Sequence, residues 1–257
     1  MSHAAVAEHG GVEPAESPLT PESWGKLGMW IFLAADAMSF GGLLAAYGAL
    51  RYGDPSWPNP AQTLGIQLTA LMTFLLICSS VTMVEALAAI REGNHTGLRK
   101  FLLLTILGGA IFVSLQAYEW HHLIHRGETI TKNNFGATFF ILTGFHGCHV
   151  FGGVVYLSAI LGRAVGGRAG ALVLGLTGAI GTLLAVYTSF TTAMLPIALA
   201  VSLLAPVAMA AVLFFVSSAL KGGVYSAHEN NEVEIGALYW HFVDLIWILV
   251  FTFVYLI

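Results

Sequence analysis

The chain has 257 residues, 57% hydrophobic and only 9% charged, with a mean hydropathy of +0.79; a soluble globular domain carries about 25% charged residues. Ten lysines and arginines stand against 14 acids, a net charge of −4, which excludes a basic nucleic-acid surface and a cluster of about four to eight cations for anionic lipid. Cys78 and Cys148 lie in apolar runs without zinc or haem-attachment spacing and read as small core residues.

Residues 1–26 are acidic, carry two prolines before Pro21 and lack the basic start and apolar middle of a secretory signal; they read as a disordered tail. A single membrane domain is expected over 27–257. Apolar runs of at least about 20 residues, enough to cross a bilayer, fall at Leu27–Leu50, Gln62–Ile90, Phe101–Ile124, Phe135–Leu161, Ala171–Phe190, Leu195–Leu220 and Gly236–Ile257. The fold expected is therefore all-α and polytopic, with seven transmembrane helices. Turn residues separate most of these runs: Gly53-Asp54-Pro55, Gly93-Asn94, Asn133-Asn134, Gly166-Gly167 and Gly222-Gly223. Pro206 is placed to kink the sixth.

Of the ten cations, Lys26, Arg91, Arg99, Lys100, Arg163, Arg168 and Lys221 fall on the side of the N-terminus, and Arg51, Arg126 and Lys132 on the other. By the positive-inside rule the N-terminus is cytoplasmic and the C-terminus faces out.

The ionisable groups inside these spans are acids and imidazoles. Asp36 lies about 14 Å from the cytoplasmic end of its helix and His146 about 16 Å from the outer end of its own, so both sit near the midplane. An intramembrane carboxylate usually faces a bundle interior or a water-filled cavity, which makes Asp36 a candidate for proton handling; the plainer reading is a neutral acid hydrogen-bonded between helices. His146 and His149, spaced i, i+3, share a helix face. No second mid-membrane histidine on another helix matches them for haem, and no paired Glu-x-x-His suits a di-metal site, so interhelical hydrogen bonding is expected. Glu85 and His241 fall toward the cytoplasmic ends, and Glu119 toward the outer face.

Glu119-Trp120-His121-His122 has ligand types suited to zinc or copper, but adjacent helical residues point about 100° apart, and a hydrogen-bonded interfacial cluster fits better. No metal site and no catalytic residue is expected. In the last run Trp240, Asp244 and Trp247 follow i, i+4, i+7 spacing, which suits a subunit interface or an internal packing stripe.

Four segments, in this order, resemble one family: Gly28-Met29-Trp30-Ile31-Phe32-Leu33 through Asp36; Gln116-Ala117-Tyr118-Glu119; Thr143-Gly144-Phe145-His146-Gly147-Cys148-His149-Val150; and Tyr239-Trp240-His241-Phe242-Val243-Asp244 with Trp247. The chain is similar to subunit III of the haem–copper terminal oxidases, the cytochrome c and quinol oxidases of aerobic respiratory chains. The resemblance implies a non-catalytic subunit of a proton-pumping oxidase in the bacterial inner membrane, beside subunits I and II. Haem and copper would belong to those partners, and the electron donor, cytochrome c or quinol, would act on the complex. It also implies a role in sustaining proton uptake and stability of the catalytic subunit, with bound phospholipid near the His146 and Glu85 faces.

In the resemblance, Asp36 matches the family's carbodiimide-reactive carboxylate. Glu85, Glu119, His146, His149 and His241 would belong to a buried polar network or the lipid cleft. Asp at this position resembles the quinol-oxidase branch. The chain also departs from the family: two N-terminal helices of the seven-helix members are missing, and a pair within 171–220, bearing the stripe Gly175, Gly178 and Gly181, stands between a core of 27–162 and 229–257. Packing of that pair against the core is expected. An accessory subunit of a nitric oxide reductase system remains an alternative. A proton-coupled transporter fits less well, since no inverted repeat is visible, and a small membrane metalloenzyme would need the histidines as ligands.

Overall fold

The structure, a computed structural model, describes residues 24–166, 225 and 230–257. Its helices are α1 (Trp24–Gly53), a short α2 (Pro60–Thr63), α3 (Ile66–Arg91), α4 (His95–His125), α5 (Asn134–Val165) and α6 (Asn231–Val250). The last continues into a π-helical turn, Phe251–Leu256. There is no strand among the described residues, and five helices are long and apolar enough to cross a membrane. The expected pair at Ala171–Phe190 and Leu195–Leu220, and the tail up to residue 23, lie outside the described residues.

Several helices differ in extent from the apolar runs. α4 begins at His95 rather than Phe101, because Asn94 caps it by accepting from the Gly97 amide at 2.9 Å. Hydrogen bonding carries a helix past its hydrophobic stretch, into two opening turns that hold Arg99 and Lys100. α6 likewise starts at Asn231 rather than Gly236, with Glu232 and Glu234 at its positive N-terminal end. α3 starts later than Gln62, since Gly65 separates it from α2. Gly93, at φ +74°, turns the chain from α3 into α4.

α3 and α4 form an antiparallel hairpin, α5 packs on α4, and α1 packs on α5 and α6. α6 fills the seat between α1, α3 and α5. Ion pairs define one end of the bundle: Glu234 of α6 meets Lys26 of α1 and Arg91 of α3, while Glu232 meets Arg163 of α5. The chain therefore leaves α5 and enters α6 at the end where α1 begins. Tyr225 reinforces this point by donating to Glu232 at 2.7 Å, and burial holds its phenol far above the usual tyrosine range. At the opposite end Arg51 donates to the Ile257 carbonyl.

Glu234→Gln removes a charge shared by two cations. We expect it to lower stability by about 1 kcal/mol, read as a reduced thermal midpoint in detergent, with the deficit shrinking as salt is raised.

The central packing element is Trp240. Its indole lies over Gly109 of α4 and Gly153 of α5: a Cβ on Gly109 would stand 2.4 Å from Trp240 Cη2, and one on Gly153 2.8 Å from its Cζ3. The same indole donates to Ser79 Oγ of α3 at 3.1 Å. Trp247 donates to Thr73 Oγ1 at 2.9 Å and stacks edge-on against Phe112. The antiparallel faces of α3 and α6 are thus fixed by hydroxyl–indole bonds at two levels.

Candidate functional site

Three polar clusters sit inside this apolar bundle. The first joins α1 to α5. Asp36 is buried, and its Oδ1 lies 3.1 Å from His149 Nε2. His149 Nδ1 is 2.7 Å from the Phe145 carbonyl. A carbonyl only accepts, so Nδ1 carries a hydrogen; the tautomer follows from the hydrogen-bond network. A proton shared between Nε2 and the Asp36 carboxyl at this distance would sit either on the acid or on the imidazole. Both arrangements are neutral overall. Tyr239 of α6 donates to the His149 carbonyl at 2.9 Å, and Phe40 and Phe145 close over the imidazole at 5.3 and 4.7 Å between ring centres.

The second cluster joins α3, α4 and the π-helical turn. Glu119 is buried and accepts from Thr69 Oγ1 at 3.0 Å, from Tyr255 Oη at 2.9 Å and from Gln116 Nε2 at 3.3 Å. The π-helical turn presents Tyr255 to it, in keeping with the use of such turns to redirect a side chain. Tyr255→Phe removes one of three donors to a buried carboxyl and is expected to cost about 1–3 kcal/mol, measured as a lowered unfolding midpoint. The same loss in a Glu119→Gln background should be smaller, which a double-mutant cycle reads directly.

The third cluster lies between α3 and α6. Ser80 Oγ is 2.6 Å from His241 Nδ1 and also faces Asp244. Asp244 is buried and its Oδ1 has no hydrogen-bond partner among the described residues.

Other residues singled out in the sequence sit differently. His146 is fully buried, but it stacks on Trp247 at 4.8 Å and meets Phe112 edge-on, and neither ring nitrogen has a hydrogen-bond partner among the described residues. Although His146 and His149 share a broad face, the rotation between i and i+3 turns one toward α6 and the other toward α1. Glu85 is exposed on α3, outside the buried clusters, so only the lipid-facing part of its expected placement is open to it. Trp240, Asp244 and Trp247 all point inward, at 1%, 7% and 0% exposure. That face is an internal packing stripe rather than a surface offered to a partner, because the glycine saddle and the α3 hydroxyls receive it.

Sequence reasoning did not single out Thr69, Thr73, Ser79, Ser80 and Tyr255. The signal was present in the first four: hydroxyl residues on one side of an otherwise apolar helix. No group of three or more His, Cys, Asp or Glu residues suited to a metal occurs among the described residues.

Residues 22–166 match the family described as cytochrome c oxidase subunit III. A probable cytochrome c oxidase subunit 3 of Nocardia farcinica is 38% identical over 138 residues, covering 53% of this chain and 68% of the relative. Its counterpart in Corynebacterium diphtheriae is 40% identical over 140 residues, with the same coverage. The quinol oxidase subunit 3 of Bacillus subtilis is 28% identical over 257 residues, covering all of this chain and 97% of the relative. The matched segment spans more than half of the sequence and runs from α1 to α5, and the chain belongs to the cytochrome c oxidase subunit III family.

Proposed function

We propose that this chain is a non-catalytic subunit of a proton-pumping haem–copper terminal oxidase in the inner membrane of a bacterium. In this reading it packs beside subunits I and II, which hold the haem and copper, and has no redox centre of its own. Its N-terminus is cytoplasmic. The observation that carries the reading is the Asp36–His149 pair, set in a membrane bundle of the subunit III family.

In this reading the pair shares one proton between two positions. Loss of that proton leaves a carboxylate facing a bare imidazole nitrogen, and gain of a second leaves an imidazolium beside a neutral acid. Either step changes the charge of a desolvated pair, so proton exchange is coupled to the hydration and charge around it. Such a site suits a subunit that sustains proton supply to a neighbour. Phospholipid acyl chains fit the exposed apolar stripe of α3 formed by Phe74, Ile77, Val81 and Val84, beside Glu85.

The test is purification from the native membrane in mild detergent, followed by reduced-minus-oxidised spectra of the assembly and of the separated chain. Haem bands in the assembly and none in the chain are expected. Haem remaining with the chain alone would overturn the proposal.

A further inference from the structure

His121 and His125 stand one turn apart at the end of α4, both exposed, with Nε2 atoms 3.0 Å apart. Their ring centres are 4.3 Å apart and the planes cross at 61°, and the two ring nitrogens share a hydrogen bond whose proton a common ion would replace. Imidazole–metal bonds of about 2.05 Å closing a right angle need their nitrogens about 2.9 Å apart, and a tetrahedral angle about 3.3 Å. The observed 3.0 Å lets both nitrogens reach one ion, and tetragonal nitrogen sites suit Cu(II) or Ni(II). Copper is the tighter of the two for nitrogen ligands.

Adjacent His121 and His122 could not do this. His122 instead lies parallel to the Tyr118 ring, 6.5 Å between centres. The C-terminal end of α4 adds the negative end of the helix dipole beneath the pair. No third His, Cys, Asp or Glu joins it among the described residues, and its exposure leaves the remaining equatorial positions to water. We propose that His121 and His125 form a two-imidazole chelate for Cu(II), at the end of the bundle opposite the start of α1.

The test uses the tag-free full chain in detergent, with His3→Ala and His9→Ala in every protein so that the tail cannot hold copper. Cu(II) is titrated, and the bound ion is read by electron paramagnetic resonance. One Cu(II) per chain is expected, with hyperfine splitting from two imidazole nitrogens. Since even outer partners of a metal ligand are worth about 10–100-fold in affinity, His121→Ala and His125→Ala should each weaken binding by at least about tenfold, and His122→Ala should leave it unchanged. Absence of binding would overturn the proposal. So would equal affinity in all three variants, or a loss in His122→Ala as large as in the others. An unchanged unfolding midpoint in each variant separates ligand loss from structural damage.

Discussion

Gly109→Val is expected to cost about 3 kcal/mol of stability and to lower the thermal midpoint of the detergent-solubilised chain more than any other single change considered. A Cβ at this position meets Trp240 Cη2 at 2.4 Å and Val154 Cγ2 at 2.7 Å, and the indole has nowhere to yield. Its far edge rests on Gly153, and its Nε1 is held by Ser79. Overpacking of this kind costs about 1–3 kcal/mol, and the β-branch adds crowding within the helix. Gly109→Ala gains about 1 kcal/mol of helix propensity but meets the same two atoms, so its net effect is a smaller loss. Gly147 on α5 is the control: an added Cβ there has nothing within 4 Å, and Gly147→Ala should be neutral or mildly stabilising. Equal midpoints for Gly109→Val and Gly147→Ala would mean that Trp240 does not occupy the saddle.

The largest functional effect is expected at Asp36. In the assembled oxidase, Asp36→Ala should leave haem content unchanged and reduce the number of turnovers before inactivation by about tenfold, the equivalent of about 1.4 kcal/mol and within the worth of one charge-assisted hydrogen bond. Asp36→Glu keeps a titratable oxygen near His149 and should recover most of the lifetime. Asp36→Asn separates packing from proton exchange: it preserves shape and a hydrogen bond to Nε2 but holds no exchangeable carboxyl proton, so it should follow alanine. A full turnover lifetime in Asp36→Asn would remove proton exchange from the account. Counting turnovers to inactivation under excess reductant makes the measurement.

Much of the bundle was legible because the membrane imposes a coarse rule. An apolar run of sufficient length must be a helix, and Gly93, Asn94 and Asn133 mark where it turns. Helix ends were less legible, since α4 and α6 extend into polar opening turns that hydropathy assigns to loops. The membership of the clusters was only half visible. Asp36 and His149 announced themselves as costly groups in an apolar setting, but their pairing depends on how α1 and α5 are rotated about their axes. A sequence with such low amphipathic contrast does not specify that rotation. The same ambiguity left Glu85 without an orientation and gave two readings to Trp240, Asp244 and Trp247. The small residues decide the second case: Gly109, Gly153 and Ser79 are the complement of one indole, distributed over three helices far apart in the chain. His125 was passed over because it falls just beyond the apolar run Phe101–Ile124.

The central position of α6 also bears on the order of synthesis. It is the last of the described helices to leave the ribosome, and it occupies the middle of the bundle rather than an edge. While it is being made, α1, α3, α4 and α5 must stand in the membrane around an unfilled seat. Thr73 and Ser79 can wait without penalty, because their hydroxyls donate to carbonyls of their own helix, Thr69 at 2.8 Å and Leu76 at 2.6 Å. When α6 arrives they accept Trp247 and Trp240 without giving up those bonds. Among the described helices α6 therefore closes the bundle, and its removal would leave an open groove lined by Gly109 and Gly153.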